Sequence, residues 1–228
     1  MRLRQIAFVA EHLEPALHEL CAVLGETECY RDPNVGRWGL ENVLVPIGGN
    51  FLEIVSPKEP GTSAGRFLQR RGGDGGYMVI LQGPDALAAR RHIMEQGVRV
   101  VAAAERPDYV YTHFHPADTG HVLLSIESVP GADYREELSE WPPAGPSWRQ
   151  VVGTEGTLEL RGVELQGQDP AAMAALWSRL LGLPVTARAG QRYEIVLDNA
   201  TISFVRASDG RGPGVGGITV HAVHPGKV

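Results

Sequence analysis

One pattern recurs three times along this 228-residue chain and limits its fold more than any single motif. QIAFVAEHLEPALHELCAVLG begins with an apolar strand, Gln5 to Val9, then breaks and continues as an amphipathic helix. Leu13, Leu17, Leu20 and Leu24 recur there at helical spacing, and Gly25 stops the helix. MVILQGPDALAARRHIMEQGVRV, from Met78, repeats the grammar with Leu87, Ile93 and Met94 before Gly97. VELQGQDPAAMAALWSRLLGLPV, from Val163, repeats it again with Met173, Leu176, Trp177, Leu180 and Leu181. There, Asp169-Pro170 supplies an N-cap followed by proline at the first helical position. Strands follow each helix: ENVLVPIGG and NFLEIVSP after the first, with a hairpin turn at Gly48-Gly49-Asn50. YVYTHFHPA and HVLLSIES follow the second helix, and RYEIVLDN and ATISFVRA follow the third. A unit of strand, helix and three strands used repeatedly predicts an α+β fold.

The repeat divides the chain. Two units fill residues 1–130. A stretch rich in proline and charge, including WPPAGPSW, reads as a linker over 131–156. A third unit with one extra strand, GGITVHAV, fills 157–228. Hydrophobic content of 43% and charged content of 21% are those of a globular chain able to bury a core. The net charge of −6 speaks against nucleic acid as a partner. No apolar run approaches membrane-spanning length, and MRLRQIAFVAEH reads as a first strand rather than a signal peptide. Cys21 and Cys29 form no disulfide framework and fit a reducing, cytoplasmic setting.

QIAFVAEHLEPAL, GNFLEIVSP, FHPADTGHVLLSIES and DPAAMAALWSRLLGLPV, in this order, resemble the vicinal oxygen chelate superfamily, the glyoxalase and bleomycin-resistance-like proteins. RDPNVGRWGLENVLVPIGGNFLEIV looks most like its glyoxalase-like branch. The resemblance covers nearly the whole chain. It implies that βαβββ units pair to curve their strands into an open half-barrel holding a small-molecule ligand. It also implies a divalent metal held by His or Gln on the first strand of a unit and by Glu or Gln on the last. The matching first-strand positions are Gln5, Met78 (Tyr77 if the register slips by one), Gly162 and Gly217. The matching last-strand positions are Glu53, Ser125 and Ser203. Only Glu53 matches fully. A thioether and a serine hydroxyl are poor partners for a hard divalent ion, so the four-ligand site reads as dismantled and no metal or other cofactor is expected.

Glu53 shares a strand face with Phe51 and Val55, because strand side chains alternate. A carboxylate among apolar neighbours is poised for general acid or base work, or it is paired structurally. Gln5, Phe51, Tyr77, Met78, Tyr111, His113 and Ser125 are the expected substrate contacts around it. Tyr111 and His113 share a face on YVYTHFHP, whereas His115 and His121 read as turn residues and His12, His18 and His92 as solvated. Arg66, Arg70 and Arg71 read as a solvated face, with an anion-greeting role at the cup mouth as the alternative. RRGGDGGY and SDGRGPGVGG lack the Gly-Lys-Ser/Thr ending of a phosphate loop and read as flexible connections.

Two functions fit: a glyoxalase-like lyase or isomerase using Glu53, or a metal-free drug- or metabolite-binding protein that needs only an apolar cup. The third unit has no complete partner in its own chain. With a linker long enough to let it stand away, it is expected to pair with its copy in a homodimer.

Overall fold

The computed structural model of the protein describes residues 1–152 and 158–222. Unit one contains β1 (Arg2–Val9), α1 (Leu13–Leu24), β2 (Leu40–Ile47) and β3 (Asn50–Pro57). Its remaining strand is reduced to a single bridge between Tyr30 and Leu44, and a 3-10 turn over Pro33–Trp38 takes its place. The SAGRFLQRR stretch forms a helix, α2 (Ser63–Arg71), capped by the Thr62 hydroxyl, which accepts from the Gly65 N–H. Unit two is complete: β4 (Gly75–Gln82), α3 (Ala86–Met94), β5 (Val100–Arg106), β6 (Tyr109–Phe114) and β7 (Leu123–Ser128). Unit three contains β8 (Leu158–Gly167), α4 (Pro170–Leu181), β9 (Val185–Arg188), β10 (Arg192–Val196) and β11 (Thr201–Arg206). The extra strand is β12 (Gly214–Ala222); His224 and the 153–157 junction lie outside the described residues.

Both glycine-rich stretches expected as flexible connections instead end in strands, β4 and β12. The reason is a close crossing. Val215 of β12 lies opposite Gly76 of β4, and a Cβ at Gly76 would sit 2.5 Å from the Val215 Cβ. Through this crossing all 12 strands join one curved, unclosed sheet. Within each unit the first and last strands run parallel: β1 with β3, β4 with β7, β8 with β11. Units one and two join antiparallel through β1 and β4, with Gln5 opposite Ile80 and Ala7 opposite Met78. The first pair thus reads β2-β3-β1-β4-β7-β6-β5, and β12 stands to β8 as β4 stands to β1.

Alternation sorts the side chains between the two faces of the first pair. Ile6, Val43, Val45, Leu52, Ile54, Val79, Leu81, Leu124 and Ile126 belong to one core with α1 and α3. Ala7, Val9, Leu44, Phe51, Val55, Met78, Ile80 and Tyr109 form a second apolar cluster on the inner face. Two features of this architecture depart from the sequence expectation.

First, unit three does not stand away from the pair, which corrects the basis on which a dimer through it was expected. Trp177 of α4 packs edge-on to Phe204 and donates its indole N–H to the Thr119 carbonyl of unit two at 2.9 Å. The turn before β11 reaches β1. Asn199 accepts from the Leu3 N–H at 2.9 Å and donates to the Leu3 carbonyl at 3.0 Å. Second, the segment expected as a linker does more than connect. Trp141, Ala144 and Trp148 are buried in the inner cluster, with Trp148 edge-on to Phe51 at 5.0 Å. The segment passes so close to the β2–β3 turn that a Cβ at Gly49 would fall 1.9 Å from the Glu137 carbonyl oxygen. Among the described residues no helix is long and apolar enough to cross a membrane.

Candidate functional site

The inner face of the first pair carries two buried carboxylates, one from each unit. Glu53 stands on β3 in the row Leu44–Glu53–Ala7–Met78–Leu123. Glu127 stands on β7 in the row Gln82–Glu127–Tyr111, on the far side of β1 and β4. Both are removed from water, at 8% and 1% exposure.

Their surroundings differ. Glu53 accepts from the Gln5 amide at 2.8 Å and from the Asn42 amide at 2.6 Å, one on each oxygen. These amide orientations are fixed by groups that can only donate. The Trp141 indole N–H binds Gln5 Oε1 at 3.0 Å, and the Asp32 backbone N–H binds Asn42 Oδ1 at 2.9 Å. Glu53 therefore faces two N–H donors. Burial raises its pKa, and the Asn42 and Gln5 donors partly offset that rise by favouring the charged form. Glu127 meets hydroxyls instead: Tyr109 on Oε2 and Ser125, at 2.7 Å, on Oε1. Hydroxyls can accept as well as donate, so this environment tolerates a protonated carboxyl. Burial lifts Glu127 to about 7; the Tyr109 and Ser125 hydroxyls oppose that rise as donors, and the charge of Glu53 adds to it. Tyr109 is held well above the usual phenol range by burial and by Glu127, and remains a donor.

A chain of contacts leads outward from Glu127. Ser125 Oγ also meets His113 Nδ1 at 2.9 Å, and His113 stacks on Tyr111 with ring centroids 4.6 Å apart. Burial, with a smaller push from Arg37, lowers His113 to about 4, so its imidazole is neutral at pH 7. The Tyr111 hydroxyl accepts a hydrogen bond from Arg37 of the 3-10 turn at 3.2 Å, which ties unit one to β6.

The structure brings together Glu53, Gln5, Tyr111, His113 and Ser125 as the sequence suggests, and Met78 lies across from Ala7 on the same face. It corrects three details. Phe51 is fully buried against Trp148 and Arg4, and Ser125 is fully buried in hydrogen bonds, so neither presents surface to a ligand in this arrangement. Tyr77 occupies the irregularity of β4 beside Met78, and its ring partner is Phe67 of α2 at 5.1 Å. Arg71 turns to the Val215 carbonyl and Arg66 to the Gly61 carbonyl, away from the mouth. Glu127, Tyr109, Asn42 and Trp141 were not anticipated. For Glu127 a signal existed, since it lies two residues from Ser125 and shares its face.

The vicinal-oxygen-chelate fold implies a divalent metal, and the inner face does not fit one. Both Glu53 oxygens are turned to N–H donors rather than to a cation, Met78 offers only sulfur, and Ser125 is engaged with Glu127. Among the described residues no three His, Cys, Asp or Glu side chains gather closely enough to hold an ion.

A family model described as a glyoxalase-like domain matches residues 6–181. Ethylmalonyl-CoA/methylmalonyl-CoA epimerase of Cereibacter sphaeroides is 24% identical over 132 residues, covering 56% of this chain and 98% of that protein. Among solved structures, a Streptomyces coelicolor methylmalonyl-CoA epimerase variant in complex with 2-nitronate-propionyl-CoA aligns with a TM-score of 0.52 and 20% identity, over 57% of this chain and 99% of that one. A variant of 4-hydroxymandelate synthase from Streptomyces coelicolor aligns with a TM-score of 0.71 and 13% identity, over 96% of this chain and 70% of that one. At such identities these structures speak for the fold alone.

Proposed function

The chain belongs to the glyoxalase-like domain family, and from that premise we propose that its first two units form a small-molecule enzyme, an isomerase or lyase, that moves a proton on a carbon acid without a metal. The observation that carries this reading is the pair Glu53 and Glu127, two buried carboxylates from opposite units with contrasting donors. Such a pair divides the work of base and acid. Glu53, aimed by two fixed amides that favour its charged form, takes the proton from the substrate carbon. Glu127, near 7 and hydroxyl-bonded, returns one from the other side. The C–H bond breaks toward Glu53 and a new C–H bond forms from Glu127; Glu53 then gives its proton to water and Glu127 regains one from water, which returns both carboxyls to their starting states. The relative of 24% identity named as an epimerase, a kind of isomerase, supports the reaction class.

The Trp141 indole stands between the two acids. It is bonded to Gln5 on the Glu53 side and edge-on to Tyr109, at 5.8 Å, on the Glu127 side. A substrate that reaches both carboxylates displaces it, so binding is expected to change the tryptophan fluorescence.

The test is hydrogen exchange on carbon. The protein is incubated in D2O with methylmalonyl-CoA and with a set of small 2-substituted carboxylic acids, and deuterium gain is read by mass spectrometry. Exchange is expected to fall about 10²- to 10⁴-fold in Glu53→Gln and in Glu127→Gln. Exchange by the wild-type chain that both variants retain sinks the two-carboxylate mechanism. Tight binding without any exchange favours instead the metal-free binding protein.

A further inference from the structure

We infer that the mouth of this cup is a receptor for an anionic group carried next to a flat apolar one, and that Arg37 is its specificity residue. The inference rests on the proposed function in taking the first-pair cup as the ligand site, and it adds the class of ligand.

Three arginines of the first pair are already neutralised by carboxylates. Arg31, six residues before Arg37, is pinned between Glu14 and Glu28. Arg90, which reaches the Tyr111 carbonyl, is paired with Glu105. Arg106, over the Tyr109 ring, is paired with Asp108 at 3.4 Å. The guanidinium of Arg37 differs. Its contacts among the described residues are the Tyr111 hydroxyl at 3.2 Å and the face of Trp38 at 4.0 Å. Both partners are neutral. They hold the cation in place and leave its charge uncompensated. A guanidinium stacked on an indole is preorganised, so a bidentate contact with an incoming oxyanion costs little further ordering.

The surfaces beside it are aromatic. Trp38 is 43% exposed, unusual for a tryptophan, and carries the Arg37 guanidinium on its face. The half-buried rings of Tyr111 and His113 continue from Arg37 into the cup, toward Ser125 and Glu127. Because His113 is neutral, it adds stacking surface without adding charge. The order from outside to inside is therefore cation, aromatic wall, carboxylates. The deeper part of the face offers an anion two carboxyl groups, Glu53 and Glu127, so the charge is better held at Arg37. An anion tethered to a planar or apolar body can leave its charge on Arg37 and pass its neutral part inward.

A matched pair of probes tests this: 2-naphthoate, and 2-naphthamide with the same ring and no charge. Binding is followed by tryptophan fluorescence and calorimetry. The wild-type chain is expected to bind 2-naphthoate about tenfold or more tightly than the amide, the worth of one charge-assisted contact. In Arg37→Gln the preference disappears while affinity for the amide is kept, and Arg37→Lys restores part of it. Equal affinity of the wild type for the two probes, no naphthoate binding at millimolar concentration, or a preference that persists in Arg37→Gln overturns the inference. The same titration on the Glu53→Gln/Glu127→Gln double variant separates the two ideas. Charge preference there, without deuterium exchange by the wild type, leaves the anion receptor standing and the proton-transfer reading fallen.

Discussion

Replacing Glu127 with glutamine is expected to make folding stability rise more steeply with pH through the weakly acidic range than it does in the wild-type chain. Two buried groups oppose each other there. Glu127 titrates near 7 in the folded chain against 4.5 when unfolded. Between those values the folded state holds a proton that the unfolded state has lost, so this group's contribution falls as pH rises, by about 3 kcal/mol over the window. His113 titrates near 4 folded against 6.5 unfolded. Between those values the unfolded state holds the extra proton, and the contribution rises with pH by a similar amount, about 3 kcal/mol. The windows overlap and the slopes cancel. Glu127→Gln removes the falling part, and His113→Gln removes the rising one. Urea unfolding at steps from about pH 4 to pH 8 reads the difference between each variant and the wild type, in which groups uncoupled to the replaced one drop out. Parallel stability curves for the wild type and both single variants would show that neither group is perturbed as described.

Trp148→Ala is expected to cost about 3–5 kcal/mol, the loss seen when a fully buried aromatic is truncated. The residue belongs to a proline-rich stretch, where a surface change ordinarily stays within about 0.5 kcal/mol. The large figure follows from what it covers. The Arg4 guanidinium lies 5.4 Å from the Phe51 centroid, 5.1 Å from Trp141 and 5.6 Å from Trp148, and it donates to the Ser139 carbonyl at 2.7 Å. Burial, with Arg2 nearby, lowers Arg4 to about 8. A cation held this way depends on its ring cage and on backbone carbonyls of the same segment, so opening one wall weakens the rest. Chemical unfolding with near-ultraviolet circular dichroism checks it. A loss below about 1 kcal/mol would return residues 131–152 to the role of simple connection.

What the sequence made legible was local. Helical spacing, the Asp169 cap and strand alternation reproduce in the structure because each is settled within a few residues. Glu53 and Gln5 could be found because alternation places one on the inner face and the neighbouring strand supplies the other. Glu127 follows from the same rule, since it lies two residues from Ser125 on one strand face. Asn42, Trp141 and Arg37 were not legible. Asn42 reaches Glu53 from a neighbouring strand, and Trp141 reaches Gln5 across 136 positions of chain. Proline-rich composition describes a segment's backbone and is silent about where its tryptophans anchor. The third unit's docking was missed for a related reason. Its contacts are a side-chain amide, an indole N–H and a glycine crossing, none of which carries a periodic signature.

The two hydrogen bonds between the Asn199 amide and the Leu3 backbone give the first strand an edge partner made of a side chain, supplied almost two hundred positions later. The Leu3 amide is thus protected from solvent exchange by unit three rather than by a neighbouring strand at that point. Its deuterium uptake in the native protein becomes a clock for the detachment of unit three. If the two bodies part as a unit, Leu3 exchanges at the rate set by that opening, faster than Ile6 in the interior of the same strand. In Asn199→Ala the clock runs at the fraying rate of β1 itself.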